Sequence, residues 1–458
     1  MQEKTQGRGV WSTKAGFILA AAGSAIGLGN IWRFPYVTGQ NGGAAFVLIY
    51  ILCVICIGLP VMIAELSIGR RSQLNPVGAF RKLAPGSPWV AVGMIGVATG
   101  IGILSYYSVV AGWTVGYFFK TVAGDFSRFI TSDTSGQIFN SFVRNPTAAI
   151  GFLFLFLVLT AAVVMGGVAK GIERWSRILM PALFILLILL TIRSVTLPNA
   201  GEGLSFYLKP DFSKITAGTI GKALGQALFS LSLGMGAMIT YGSYIARKEN
   251  IPVAAGYVCL FDTLIAIIAG LMTFPALFAM GLRPDASGPG LVFVLLPTIF
   301  AKMPGGFIFG AGFFLLLTLA ALTSTISLLE VAVSYMVDEW KWKRLRAVVL
   351  MSGLAFIIGI PSALSQGASQ WLSSLPLVHL SFLDLANVLL GNYSLTVGAF
   401  LIAIFVAYKW GIKSTRQEIE AEGNVFHFGR IWSFLIRFIC PVAILIIFIY
   451  IIITGDFF

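Results

Sequence analysis

The chain has 458 residues, of which 57% are hydrophobic and only 11% charged, and its mean hydropathy is +0.90. Soluble domains carry about a quarter charged residues, which excludes that class; at about 20 apolar residues per span there is room for roughly ten to twelve membrane helices. A net charge of +13 in a soluble protein would suggest nucleic acid, but in a membrane protein the placement of charge matters more than its sum, and no nucleic-acid partner is expected.

In chain order, apolar stretches between charged punctuation predict eleven spans, at about 14–38, 44–68, 90–120, 147–168, 176–194, 219–245, 253–281, 305–336, 345–361, 378–408 and 431–455. The polar start MQEKTQGRG is not a cleaved signal peptide by pattern. A cytoplasmic N-terminus puts about two-thirds of the 31 Lys and Arg inside, as the positive-inside rule requires, and turns the C-terminus outward. No linker divides the chain, so residues 1–458 read as one integral membrane domain. The longer loops, Val122 to Arg144 and Leu197 to Thr216, are expected to be external, ordered caps.

Cys53, Cys56, Cys259 and Cys440 lie in apolar runs and predict no disulfide framework. With only His379 and His427 besides, a zinc or haem site has almost no material. No nucleophile–base pair or diphosphate-binding motif supports a membrane enzyme.

Two spans look broken. Phe17 to Pro35 reads FILAAAGSAIGLGNIWRFP, with Gly23, Gly27 and Gly29 followed by Asn30 and Arg33, and the sixth span carries SLSLGMGA from Ser230 to Ala237. Glycine weakens a helix, and backbone groups freed at mid-membrane must line a cavity or bind something. Glycines such as Gly96 and Gly100 instead suit close helix packing. Paired interruptions in two halves point to the binding site of an inverted-repeat transporter.

Arg33, Asp262 and Asp384 lie in or beside apolar spans, where each charge costs about 3 kcal/mol at the bilayer centre. Asp262 therefore needs a cation, a proton or a hydrogen-bonding cluster. Glu65 and Glu330 lie nearer span ends, where solvated or capping roles are expected. Thr323, Ser324 and Thr325 could ligate a hard cation with backbone carbonyls, though such hydroxyls more often bond back to their own helix.

Together GSAIGLGNIWRFPY (23–36), NGGAAF (41–46), SLSLGMG (230–236) and ALTST (321–325) resemble the neurotransmitter:sodium symporter family, specifically its bacterial amino-acid branch, from about Arg8 to the eleventh span. Broken helices of this kind are themselves known from that family, so these signs are not independent. The resemblance implies an all-α membrane protein with a five-plus-five inverted repeat: repeat one over about 10–195, repeat two over about 218–408, an extra helix at about 431–455, and helices 1 and 6 unwound at mid-membrane. It implies a secondary active transporter in the cell membrane that couples inward sodium flux to uptake of neutral hydrophobic or aromatic L-amino acids by alternating access. The partners implied are the amino acid, two co-transported sodium ions and the lipid bilayer; nothing in the sequence marks an oligomeric state.

Carried over by position, the resemblance puts the substrate carboxylate at the amides of Leu28 and Gly29 and the hydroxyl of Tyr107, and the amino group at carbonyls around Ala25, Phe229 and Ser230. The side chain enters a pocket of Ile103, Phe229, Ser232, Met235, Thr325 and Leu328. One sodium site takes Ala25, Asn30, Ser230, Asp262 and the substrate carboxylate; the other takes Gly23, Ile26, Ala320, Thr323 and Ser324. Arg33 and Asp384 match an external gate, with Tyr107 and Phe229 closing over the substrate, and Arg8, Trp11, Ser243, Tyr244 and Asp338 match a cytoplasmic gate. Monoamine members carry an acid where this chain has Gly27, which argues against an amine lacking a carboxylate. Chloride-dependent members hold the anion among residues matching Tyr50, Gln226, Ser230, Asp262 and Ala266, so Asp262 is expected to supply a fixed charge that makes chloride unnecessary and to take a proton when the site empties. The alternative is a proton-coupled amino acid carrier of the same repeat fold.

Overall fold

A computed structural model describes residues 9–124, 131–282, 290–303 and 305–455. The described residues form helices and no strand. Nine helices among them are long and apolar enough to cross a membrane: α3 (Ala44–Ser72), α4 (Val90–Val122), α5 (Pro146–Met165), α6 (Val168–Val195), α9 (Ile251–Ala279), α10 (Gly306–Glu339), α11 (Arg344–Leu364), α12 (Phe382–Lys409) and α13 (Gly429–Thr454). A tenth span is split into α1 (Lys14–Ala25) and α2 (Gly29–Gln40), bent by 52° at the break. The remaining predicted span is split as well, into α7 (Ala217–Ser230) and α8 (Ala237–Gly242). Each predicted span is thus found, with its ends shifted by up to eight residues, the largest at the start of α6.

Both predicted caps contain helix. Ser132–Val143 begins at a capping box in which Thr131 Oγ1 accepts from the Thr134 amide at 3.2 Å, satisfying a first-turn donor, and Ala200–Leu208 packs on α9. The four cysteines are free. Large apolar side chains such as Leu52, Ile185, Ile357 and Ile453 are more than half exposed on the outside of the bundle, as a protein solvated by lipid requires.

α4 and α10 pack along their length, with α5 and α11 against them, and α1 lies on α6, α9 and α10. The second broken span sits between α3 and α12 at backbone-to-backbone distance. A Cβ on Gly69 of α3 would lie 2.1 Å from the Ile239 carbonyl oxygen of α8, and one on Gly234 in the break would lie 2.1 Å from the Leu395 carbonyl oxygen of α12. Helices approach this closely only where both surfaces lack side chains. Gly69→Ala is expected to destabilise the fold by about 1–3 kcal/mol through overpacking against rigid backbone, read as a lowered unfolding temperature in detergent, whereas Gly86→Ala, where a Cβ meets nothing, checks for effects unrelated to packing.

Candidate functional site

α1 stops at Ala25, Ile26 is extended, and the chain re-enters helix through a π-turn at Gly29–Arg33. In the second break Ser232, Gly234 and Gly236 have φ of 54°, 83° and 78°, the left-handed region that suits glycine. Ser232 is held there by its hydroxyl, which donates to the Ser24 carbonyl at 2.8 Å and so ties one break to the other. Other groups freed by the breaks are satisfied by side chains. Gln226 Nε2 donates to the Gly29 carbonyl at 2.8 Å, the Leu28 amide donates to Tyr107 Oη at 2.8 Å, and the Gly27 amide donates to Asn30 Oδ1 at 3.0 Å. The Gly234 amide donates to Glu65 Oε1 at 2.7 Å. Glu65 is therefore neither solvated nor a cap; it is fully buried and props the unwound segment.

Between the breaks lies a cavity of only about 20 Å³. Of the residues that the resemblance assigned to the substrate, Ala25, Gly29, Ile103, Tyr107, Phe229, Ser230, Ser232, Met235 and Leu328 line it. Leu28 lines the neighbouring cavity instead, and Thr325 lines neither: its hydroxyl donates to the Leu322 carbonyl and pairs with Thr160 of α5 at 2.9 Å. Ser24, Gly27 and Ser324 complete the lining; Ser24 and Gly27 lie inside the first glycine motif and carried no expectation, whereas Ser324 was expected at a sodium site. Gly27 has no room for a side chain, since a Cβ would stand 2.4 Å from Ser324 Oγ and 2.7 Å from Tyr107 Oη.

A second cavity of about 420 Å³ opens beyond the first, and Gly29, Tyr107 and Phe229 line both. These residues are the partition between them. Arg33 and Asp384 face this larger space without forming an ion pair. The Arg33 guanidinium sits 4.6 Å over the Phe229 ring with Nη2 buried and unbonded, while Asp384 accepts from the Ser381 hydroxyl at 2.6 Å.

The opposite face is sealed around Trp11. Its indole donates to the Tyr241 carbonyl at 3.0 Å, its amide to the Tyr244 carbonyl at 3.3 Å, and its ring packs on Phe17, Tyr241 and Tyr244. Ser243 donates to the Thr240 carbonyl, and Asp338 accepts from the Asn75 amide at 2.8 Å; Arg8 lies outside the described residues. Glu330 is fully buried, ion-paired with Arg344 and accepting from the Tyr244 hydroxyl at 2.7 Å, again in place of the expected solvated or capping role.

Asp262 is fully buried, and every hydrogen bond it accepts comes from a neutral donor: Asn30 Nδ2 at 2.7 Å, the Ser230 hydroxyl at 2.7 Å and the Tyr50 hydroxyl at 2.9 Å. Among the described residues no cationic side chain lies beside it. A second oxygen cluster forms where α10 meets the first break. Thr323 Oγ1 lies 2.9 Å from the Ala320 carbonyl and 3.3 Å from that of Ile26, and Ser324 Oγ lies 3.4 Å from the same Ile26 oxygen. Gly23 lets α1 come this near, because a Cβ there would touch Thr323 at 3.3 Å. The first cluster offers carboxylate and neutral oxygen and the second neutral oxygen alone, both kinds that hard cations accept.

Two mid-membrane breaks around a cavity, partitioned from a larger one on one side and sealed on the other, define a membrane transporter rather than an enzyme. The model of the sodium:neurotransmitter symporter family matches residues 8–133 and 137–456, and the chain belongs to that family. It is 42% identical over 446 residues, 96% of each chain, to an uncharacterised sodium-dependent transporter of Bacillus subtilis, YhdH, and 28% identical to the sodium-dependent serotonin transporter of Drosophila melanogaster over 97% of this chain and 76% of that one. The crystal structure of MhsT in complex with L-phenylalanine superposes with a TM-score of 0.89 at 46% identity, covering 97% of this chain and 99% of that one.

Two outcomes follow for this site. Glu65→Ala leaves the Gly234 amide without its acceptor and is expected to cost about 1–3 kcal/mol in thermal unfolding, with Glu65→Gln, which keeps an acceptor oxygen, recovering most of it. Gly27→Ala is expected to weaken substrate binding at least about tenfold in an equilibrium binding assay while the protein still folds.

Proposed function

We propose that this transporter couples the inward movement of two sodium ions to uptake of one neutral hydrophobic or aromatic L-amino acid by alternating access, with no need for chloride. The observation that carries this reading is the convergence of Asn30, Ser230 and Asp262 directly beside the cavity between the breaks. A sodium ion among these oxygens, the Ala25 carbonyl and the substrate carboxylate would make each ligand's affinity depend on the other. The second ion would take the Gly23, Ile26 and Ala320 carbonyls with Thr323 and Ser324. The two five-helix repeats, 10–195 and 218–408, would carry one break each.

The carboxylate would enter between the Leu28 amide and Tyr107, which bond each other at 2.8 Å, and would be welcomed by the amides at the start of α2. Ile103, Phe229, Met235 and Leu328 give an apolar seat for the side chain. A volume of about 20 Å³ cannot hold such a side chain, so binding would require the lining to open, and Met235 is the most flexible of its apolar side chains. The L-phenylalanine in the similar MhsT structure supports that substrate class. In the orientation proposed, Trp11 faces the cytoplasm, and pairing of Arg33 with Asp384 over the larger cavity would complete outer closure.

Asp262 would supply the fixed negative charge that balances sodium, and would accept a proton when sodium leaves, since an uncompensated buried charge is costly. Two sodium ions with a zwitterion carry two charges, about 4.6 kcal/mol at 100 mV, enough for roughly a thousand-fold accumulation or somewhat more; a returning proton would cancel about half of this electrical part.

Uptake of labelled Phe, Trp, Tyr and Leu into proteoliposomes, with sodium or potassium gradients and chloride or gluconate, tests the reading. Sodium-dependent, chloride-independent uptake is expected; uptake without sodium would instead favour the proton-coupled mechanism. Asp262→Asn is expected to become chloride-stimulated or inactive and to lose proton counter-movement, and unchanged behaviour in both respects would remove Asp262 from charge balance.

A further inference from the structure

The turn joining α10 to α11 reads Trp340-Lys341-Trp342-Lys343-Arg344-Leu345-Arg346. Lys341 adopts a φ of 56°, which folds the chain back on itself and brings the two indoles edge to face at 5.4 Å. The Arg346 guanidinium stacks 4.4 Å over the Trp342 ring. Lys341, Lys343 and Arg346 are exposed and form no ion pair among the described residues. The nearby acids face elsewhere: Asp338 accepts from Asn75, and Glu339 pairs with Arg81. Immediately along α11, Leu345 and Val349 are 62% and 57% exposed, so the outward apolar surface begins where the cations end.

We propose that this turn is a binding site for the headgroup of an anionic phospholipid, with Lys341, Lys343 and Arg346 on the phosphate and glycerol oxygens, Trp340 and Trp342 at the depth of the glycerol backbone, and the acyl chains along Leu345 and Val349. Three uncompensated cations beside an apolar wall match an anionic amphiphile in both charge and polarity, and the two indoles mark the interfacial depth that Trp prefers. Near an anionic membrane surface each such cation favours association by a few-fold, so three together favour an anionic over a zwitterionic headgroup by roughly a hundred-fold. The site also reaches the seal described above. Arg344, in the same turn, pairs with Glu330 and donates to the Val164 carbonyl at 2.9 Å, and Glu330 accepts from Tyr244, whose carbonyl receives the Trp11 amide. A bound headgroup steadies the turn from which that chain of contacts hangs. The inference goes beyond the proposed transport activity and rests only on the fold, since lipid binding to this patch is independent of the substrate and of which face is cytoplasmic.

The test is native mass spectrometry of the full chain in detergent, where both faces are accessible, titrated with phosphatidylglycerol, with phosphatidylcholine, and with inorganic phosphate. Wild-type protein is expected to retain phosphatidylglycerol far more tightly than phosphatidylcholine, and the triple variant Lys341→Gln, Lys343→Gln, Arg346→Gln to lose at least about tenfold of that preference. Arg344 is left intact in this variant so that the Glu330 pair survives, and an unchanged unfolding temperature in phosphatidylcholine checks the fold. Equal lipid retention by variant and wild type would overturn the site. Complete displacement of the lipid by inorganic phosphate would also overturn it, by showing a simple anion site. Lipid discrimination that persists in a preparation with no amino acid uptake would sustain this inference while the transport reading failed.

Discussion

A peptide group set free in the middle of a bilayer has no water to turn to, and much of this protein is arranged around that fact. Where α1 and α7 stop, the breaks release amides and carbonyls that would otherwise be orphaned in hydrocarbon. They are taken up by Glu65, Gln226, Asn30, Tyr107 and Ser232, drawn from four different parts of the chain. The breaks are therefore solved jointly. Ser232 reaches back to Ser24, and Asn30 reaches across to Ser230 at 3.1 Å, so each break supplies hydrogen-bond partners to the other.

The buried acids divide by their partners. Glu418 meets Arg70 at 2.8 Å, and Glu173 and Glu330 pair with Arg177 and Arg344; such pairs hold helix ends together at the margin of the bundle. Among the described residues Asp262 accepts from neutral side-chain donors, and Glu65 accepts from backbone amides that include that of Gly234. A carboxylate stabilised by dipoles alone still carries its charge into a medium of low dielectric, so a mobile cation is the natural complement at Asp262. The acids at the helix ends have arginine partners, whereas the acid beside the cavity is held by hydroxyls and an amide.

Much of this was legible from the residues. Spans could be read because lipid demands about 20 apolar residues at a time, and both breaks could be read because Gly27, Gly29, Gly234 and Gly236 fall where an unbroken helix would not want them. Glu65 and Glu330 were visible as charges but misplaced, because distance from the end of a span says nothing about what neighbouring helices place opposite. Gly69 and Gly242 let α8 press against α3, which is how the break comes within reach of Glu65. Thr325 shares a run with Thr323 and Ser324 yet turns toward α5, a matter of helical phase that three adjacent hydroxyls cannot reveal. Arg33 and Asp384 stand apart because the guanidinium lies over Phe229 and the carboxylate takes the Ser381 hydroxyl, side-chain choices that residue type alone does not set.

The reciprocal contact of Gly69 with Ile239 and of Gly242 with the Leu66 carbonyl has a mechanical consequence. Surfaces that meet backbone to backbone cannot slide past each other without collision, and they have no flexible side chains to yield. α3 and α8 are thus geared together as one lever, with the unwound stretch before α8 as its pivot. Met235 lies within that pivot and lines the cavity between the breaks, so any rotation of the pair would carry part of the cavity wall with it.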